Sequence, residues 1–381
     1  MSFVSIRTVS FRNLTDAEID LRGKDIFLVG ENGQGKSNFL EALYFCSYAS
    51  SFRGVRDKEM VKTGERDCSV SVSFDDSLYK NVSVVFKEGK KNITLDGKQV
   101  EDRKELLSVA PSIVFCHEDM EFVAGSPERR RWFFDQTRSL WDPLYLDDLR
   151  KYRHVLKTRN TLLKNLTASN RSTLGESRSR FSSETIAMLD ALDPQLAQYG
   201  LELTAKRQKT AEEFSLVFEP LYREISGIAG IGVKYLPSWK EDTTGGIIGL
   251  LSSKRETDAS FGVSLSGPHR DRYLFTREGE DFSGKASTGQ RRLLALLLRI
   301  AQTKVFSEKT GKKPVLLLDD VLLELDGAKR TKFLAIMPEY EQAFFTFLPG
   351  EHYNTYGKYD KIVYYLDSGR LTRNPDNGES G

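Results

Sequence analysis

The octapeptide Gly30-Glu31-Asn32-Gly33-Gln34-Gly35-Lys36-Ser37 fits G-x-x-x-x-G-K-[ST], the phosphate-binding loop, and constrains the chain more than any other stretch. Its flanks agree with it. Asp25-Ile26-Phe27-Leu28-Val29 is a short apolar run that reads as a buried strand, and Asn38 to Phe45 reads as a helix with Phe39, Leu40, Leu43 and Phe45 on its apolar face. Strand, glycine loop and helix together let backbone N–H groups close around phosphate oxygens, with the positive end of the helix dipole behind them. Lys36 is placed to reach the β- and γ-phosphates of ATP, and the Ser37 hydroxyl to ligate Mg²⁺.

A second motif lies near the other end of the chain. Pro314-Val315-Leu316-Leu317-Leu318-Asp319-Asp320 is an aliphatic run ending in two acids. The run reads as a central parallel strand, and its carboxyl end is where open α/β sheets bind ligands. Asp319 is placed to hold Mg²⁺, directly or through water, and Asp320 to activate an attacking water. The pair could instead simply end a strand and cap the next helix; beside a phosphate loop the nucleotide reading is preferred. The two motifs stand almost a whole chain apart, which suggests two half-lobes brought together around an inserted helical segment.

A third element precedes the acidic strand. Ala286-Ser287-Thr288-Gly289-Gln290 leads into the apolar helix Leu293 to Ala301. Ser287 is a cap for that helix and Gly289 allows close backbone approach. With Gln290, this turn resembles the signature loop of ABC-type ATPases, which acts in trans on nucleotide held by a partner subunit. Leu323-Glu324-Leu325-Asp326 falls where such proteins carry the D-loop.

These and further segments resemble the RecF family of bacterial recombination mediators, relatives of the SMC-type ATPases, over essentially the whole chain. The segments are Phe11-Arg12-Asn13-Leu14, Asn38-Phe39-Leu40-Glu41-Ala42, Ser51-Phe52-Arg53, Ser126 to Arg131, Tyr152 to Asn160, Gly267-Pro268-His269-Arg270-Asp271 and Leu318-Asp319-Asp320-Val321. Some positions depart from the pattern. His117 stands where a proline is expected, Leu322-Leu323 replaces small residues before the D-loop, and Thr346 stands where many ABC proteins place a histidine. The resemblance implies an α/β ABC-type P-loop ATPase head with an inserted helical, short coiled-coil-like domain. It implies an ATP- and Mg²⁺-dependent homodimer, with two nucleotides sandwiched between protomers, clamping gapped or junction DNA in recombinational repair and replication. Weak DNA-stimulated hydrolysis would act as a switch that releases the DNA. RecR, with RecO and RecA loading, are the implied partners. Two other functions stay open on the residues alone: an ATPase subunit of another assembly such as a transporter, and an ATP-binding scaffold without turnover.

Composition enters where DNA is concerned. The formal net charge is only +2, but residues 128–180 hold thirteen Lys or Arg against six Asp or Glu. Arg129-Arg130-Arg131 and the series Arg150, Lys151, Arg153, Lys157, Arg159 and Lys164 dominate, and Lys206, Arg207 and Lys209 add to them. Such a series is a candidate track for a phosphate backbone, or a solvated helix face; the resemblance favours DNA. Leu149, Tyr152, Leu156, Leu163 and Leu166, and then Leu189, Leu192, Leu196, Tyr199 and Leu203, recur at helical steps and read as stripes packed on each other. Asp193-Pro194 reads as a cap and restart. His269 is either a satisfied loop residue or a group near the nucleotide or dimer face.

The expected division is head 1–126, helical arm 127–227, returning head 228–373 and a polar tail 374–381. No apolar run reaches eighteen residues, so no membrane span is expected. Three cysteines without metal-like spacing suit free buried thiols in the cytoplasm.

Overall fold

The computed structural model describes residues 2–75, 79–171, 182–322, 327–351, 353, 356, 357 and 359–373. The D-loop position Asp326, the tail from 374 and most of the polar connection 168–183 lie outside the described residues. Two compact units emerge. One gathers Met1–Met120, Pro220–Ile228 and Ser287–Gly381; the other gathers Glu121–Glu219 and Ala229–Ala286. The sequence division is corrected here, because residues 229–286 fall with the helices and not with the returning head. The reason is packing: Trp239, Ile247 and Leu251 share a core with Tyr145, Tyr152, Leu196 and Leu203 of the arm.

Strands run in chain order as β1 (Phe3–Val9), β2 (Ala17–Asp20), β3 (Asp25–Val29), β4 (Cys68–Phe74), β5 (Asn81–Lys87), β6 (Lys90–Leu95), β7 (Lys98–Gln99) and β8 (Ser112–Phe115). They continue as β9 (Ile231–Leu236), β10 (Arg272–Arg277), β11 (Glu280–Asp281), β12 (Val315–Leu318), β13 (Gln342–Phe347), β14 (Lys361–Asp367) and β15 (Arg370–Arg373).

The first unit holds two six-stranded sheets, an antiparallel one ordered β2-β1-β4-β5-β6-β7 and a mostly parallel one ordered β15-β14-β3-β13-β12-β8. Alternation in β4 and β5 faces one side inward, whereas β3, β12 and β13 are buried at every position, as expected of strands covered on both faces. The helix Lys36–Tyr48 joins the two sheets in one core. Leu40, Leu43 and Phe45 share that core with Val70, Val72 and Val84 of the antiparallel sheet and Ile26, Leu28, Leu317 and Phe344 of the parallel one. A helix apolar along most of its middle, Phe39 to Cys46, suits such an interior.

The second unit contains helices Tyr145–Arg171 and Ser183–Ser226 and the small sheet β11-β10-β9. The two helices are antiparallel: Asp148 pairs with Lys206, and Arg159 with Asp193. The expected restart at Asp193-Pro194 does not occur, since one helix runs through from Ser183 to Ser226. Asp193 does not cap; its carboxylate is taken by Arg159 and Arg255. Burial of Leu189, Leu196 and Leu203 carries the helix across the N–H that proline lacks. No described helix is long and apolar enough to cross a membrane.

Candidate nucleotide-binding site

Parallel register builds the site. Leu318 of β12 pairs with Phe345 of β13, and Phe345 pairs with Phe27 of β3. The carboxyl ends of β3 and β12 therefore reach the same edge, with Thr346 and Phe347 between them. The phosphate loop leaves β3 there and the acidic pair leaves β12. Gly35 sits at φ +114°, and a Cβ on it would stand 2.9 Å from Asn13 Oδ1. That conformation and that contact both select glycine. Asn13 in turn donates to the Gly33 carbonyl at 3.1 Å and accepts from Asn38 at 2.8 Å, bracing the loop from the first strand's end. Lys36 is buried, with Nζ donating to the carbonyls of Gly30 (2.6 Å) and Glu31 (3.2 Å). Glu31, Asn32, Lys36, Ser37, Arg53 and Asp320 are among the residues lining a cleft of about 250 Å³.

The two distant motifs touch. Ser37 Oγ donates to Asp319 Oδ1 at 2.7 Å. A hydroxyl and a carboxylate meeting beside a phosphate loop are hard oxygen donors of the kind Mg²⁺ takes while keeping waters and phosphate oxygens. The donor set therefore fits Mg²⁺. Burial, with a further contribution from the Asp320 charge, raises the Asp319 pKa to about 6, opposed by the Ser37 hydrogen bond. Asp320 has φ +55°, left-handed backbone that aspartate tolerates at some cost. It is held there by Thr346, whose Oγ1 accepts from the Asp320 amide and donates to Asp320 Oδ1, both at 2.7 Å.

Behind the loop stands a hub that the motif did not announce. Glu41 on the loop helix is fully buried. Arg12 grips it through Nε at 2.8 Å and Nη2 at 2.9 Å, Ser51 donates to it, and Arg53 approaches to 3.7 Å. Arg53 also donates to Asn38 at 2.9 Å and lines the cleft. Three separate segments, 11–14, 38–42 and 51–53, converge on one carboxylate. Their co-occurrence was the available signal; their pairing was not.

Comparison with known proteins agrees with this geometry. A family model described as RecF/RecN/SMC N terminal domain matches residues 3–365. A "DNA replication and repair protein RecF" of Treponema pallidum (strain Nichols) is 40% identical over 95% of this chain and 98% of its own. The chain belongs to the RecF family. A RecF of Clostridium novyi (strain NT) is 31% identical over 90% of this chain and 91% of its own. The solved "recombination mediator protein RecF-ATP in RecFOR pathway" superposes with a TM-score of 0.84 at 28% identity, covering 97% of each chain. An Smc head domain from Pyrococcus furiosus matches at a TM-score of 0.52 and 16% identity, over 97% of this chain and 95% of its own. That likeness shows the fold alone. The RecF-type head is thus an ABC-type ATPase fold.

The remaining residues singled out in the sequence divide into two groups. Ser287 is the N-cap of the helix Thr288–Thr310: its side chain accepts from the Gln290 amide at 3.2 Å, and Gln290 Oε1 accepts from the Ser287 amide at 2.8 Å. Ser287 and Gly289 are exposed. The same helix is tied to the end of β8 by Arg299, which donates to Asp119 at 2.6 Å and 3.0 Å in a buried pair. Arg150, Lys151, Arg153, Lys157 and Lys164 are exposed, Arg150 pairing with Asp147 at 3.1 Å. Arg159 is a correction to the basic track. It is fully buried and bound to Asp193 at 2.9 Å and Asp258 at 2.7 Å. At about 100° per residue it lies opposite Arg150 and in line with Tyr152, Val155 and Leu163. Arg207 is likewise buried, between Asp135 and Asp271. Arg130 and Arg131 are half-buried, donating to the carbonyls of Tyr273 and Asp271.

Within the Gly-Pro-His-Arg-Asp block, His269 and Asp271 resolve as scaffold. Asp271 accepts from Arg207, Tyr235 and the Ser238 amide. His269 Nε2 faces the Ser264 carbonyl at 2.9 Å and so carries the proton; Nδ1 accepts from the Tyr152 hydroxyl at 2.8 Å. Burial lowers its pKa to about 4. The loop reading of His269 therefore prevails.

Proposed function

We propose that this chain is an ATP-dependent DNA-binding protein of recombinational repair and replication. The observation that carries it is the Ser37–Asp319 contact, which closes both nucleotide motifs around Lys36 and Asp320 in a member of the RecF family. ATP would occupy the cleft, its phosphates wrapped by residues 30–37 and neutralised by Lys36. Mg²⁺ held by Ser37 and Asp319 would supply further charge neutralisation at the β- and γ-phosphates. Asp320 would orient or deprotonate the attacking water. Ser287 and Gly289, exposed on the head, would with Gln290 act on nucleotide held by a second copy, so that ATP drives dimerisation, with Asp326 contributing across the same dimer. Dimerisation would clamp gapped or junction DNA, with the exposed basic series Arg150, Lys151, Arg153, Lys157 and Lys164 as a backbone track, and hydrolysis would release it. Partnership with RecR and RecO is supported by the RecFOR pathway of the solved relative, and RecA loading by the resemblance. Family membership leaves the transporter-subunit alternative without support.

The test separates binding from turnover. Asp320→Asn keeps shape and removes charge, so it should bind Mg-ATP and accumulate as an ATP-bound dimer with DNA in sedimentation. Asp319→Asn should bind Mg-ATP poorly and stay monomeric. A monomeric Asp320→Asn, under conditions where the wild type dimerises, would sink the hydrolysis-gated clamp. Wild type that dimerises but releases no phosphate, with or without DNA, would instead identify a non-hydrolysing scaffold.

A further inference from the structure

The second unit carries an open cleft of about 510 Å³ outside every site described above. It is lined by Ser238 and Lys240 after β9, by Leu265 and Arg270 from the turn before β10, and by Arg272 at the start of β10. A single 3-10 turn, Pro268–Arg270, leads into β10, and burial sorts the charges along it. His269 and Asp271 turn inward, while Arg270 and Arg272 are exposed. Asp271 is nearly fully buried and already satisfied by Arg207, Tyr235 and the Ser238 amide, so its charge does not compensate the arginines outside. Among the described residues neither Arg270 nor Arg272 pairs with a carboxylate, and Lys240 Nζ reaches only the Pro237 carbonyl at 3.3 Å. Among the described residues no acid lines the cleft. Lys234, opposite Leu274 on β10, is exposed on the same sheet face as Arg272, which pairs with Leu236, and extends the positive field along β9.

We propose that this cleft binds the phosphodiester backbone of DNA, an inference that rests on the DNA-binding reading above and adds a contact surface to it. Three cations around one concavity repel each other, and a polyanion removes that repulsion. Arginine forks match phosphate oxygens two at a time. The cleft is open and holds its cations on exposed side chains. A single small anion gains little there, whereas each contact to a polyanion releases a counterion.

The experiment compares wild type with the double variant Arg270→Ala/Arg272→Ala, full chain with ATP, binding a DNA duplex in fluorescence anisotropy. Both arginines are exposed and unpaired, so the variant should fold and bind ATP as the wild type does. Over roughly 50 to 200 mM salt, the slope of log K against log salt should fall in magnitude by about 1.8, two contacts at ~0.9 each. Affinity at low salt should drop tenfold or more. An unchanged slope and affinity, with wild type binding normally, would overturn the proposal and leave the DNA-binding reading standing. Tight binding of inorganic tripolyphosphate that depends on these arginines, with an unchanged DNA slope, would overturn it in favour of a small anion. Failure of the wild type itself to bind DNA with ATP would overturn the functional reading instead.

Discussion

Thr346 uses one hydroxyl twice, accepting from the Asp320 amide and donating to its carboxylate, and so fixes both the backbone and the side chain of the proposed water-activating residue. Thr346→Val keeps the volume and removes both bonds. Mg-ATP affinity should stay within about twofold while single-turnover phosphate release slows tenfold or more, about 1.4 kcal/mol of barrier. Equal rates would show that Asp320 needs no such support. His269 gives a prediction in pH. Its folded pKa, about 4, lies below the ordinary value of 6.5, so protonation favours the unfolded chain. The neutral ring's contribution is complete above pH 6.5 and is lost as pH falls towards 4, by up to about 3 kcal/mol. Denaturant midpoints should show that decline in wild type and a flatter one in His269→Gln. Lys36, Ser37, Asp319 and Asp320 stood out in the sequence because each falls in a contiguous motif beside an apolar strand, and the structure brings those motifs together through Ser37 and Asp319. Glu41 and Arg53 were not, because a charged residue's partner is chosen by which segments the fold brings together.

At the scale of elements, the arm shows why charge counts mislead. Lys157 and Arg159 stand two residues apart on one helix, yet one faces solvent and the other fills a buried site between Asp193 and Asp258. Arg159→Ala would leave buried Asp258 without its ion-pair partner and Asp193 with Arg255 alone, and should cost about 3–5 kcal/mol in denaturant unfolding, whereas Lys157→Ala should stay within about 0.5 kcal/mol. A reversal of that order would contradict the packing. In DNA binding the roles exchange: Arg150→Glu/Lys157→Glu should weaken affinity without altering ATP binding. The helical period could have separated the two residues, since Arg159 falls in step with Tyr152, Val155 and Leu163. The unbroken helix across Pro194 was less accessible. Its stability comes from the buried leucines and from the arginines that take Asp193, and both of these are tertiary facts.

Across the whole molecule, the nucleotide edge draws on residues from almost every part of the first unit. Gly369, in the turn from β14 to β15, sits at φ +78° with its amide donating to the Gln34 carbonyl at 2.9 Å. A Cβ there would stand 1.9 Å from the Asn13 carbonyl oxygen. Gly369→Ala should therefore push the turn off the phosphate loop, costing about 1–3 kcal/mol and lowering ATP affinity at least tenfold in calorimetry, although no motif residue is changed. Unaltered ATP affinity would show that the loop holds its shape unaided. The ABC-type class was legible from two motifs and their order. The grouping of residues 229–286 with the helices was not, because a short strand pair gives no sign of which core it will join. This wiring also bears on synthesis. At roughly 5–20 residues per second, the ribosome releases Lys36 on the order of tens of seconds before Asp319, and Gly369 later still. For that interval the nascent chain carries a complete phosphate-binding motif whose neighbouring strands β12, β13 and β14 have not been made. Competence for nucleotide is acquired only near the end of translation, so a chain stalled midway presents the motif without the ability to capture ATP.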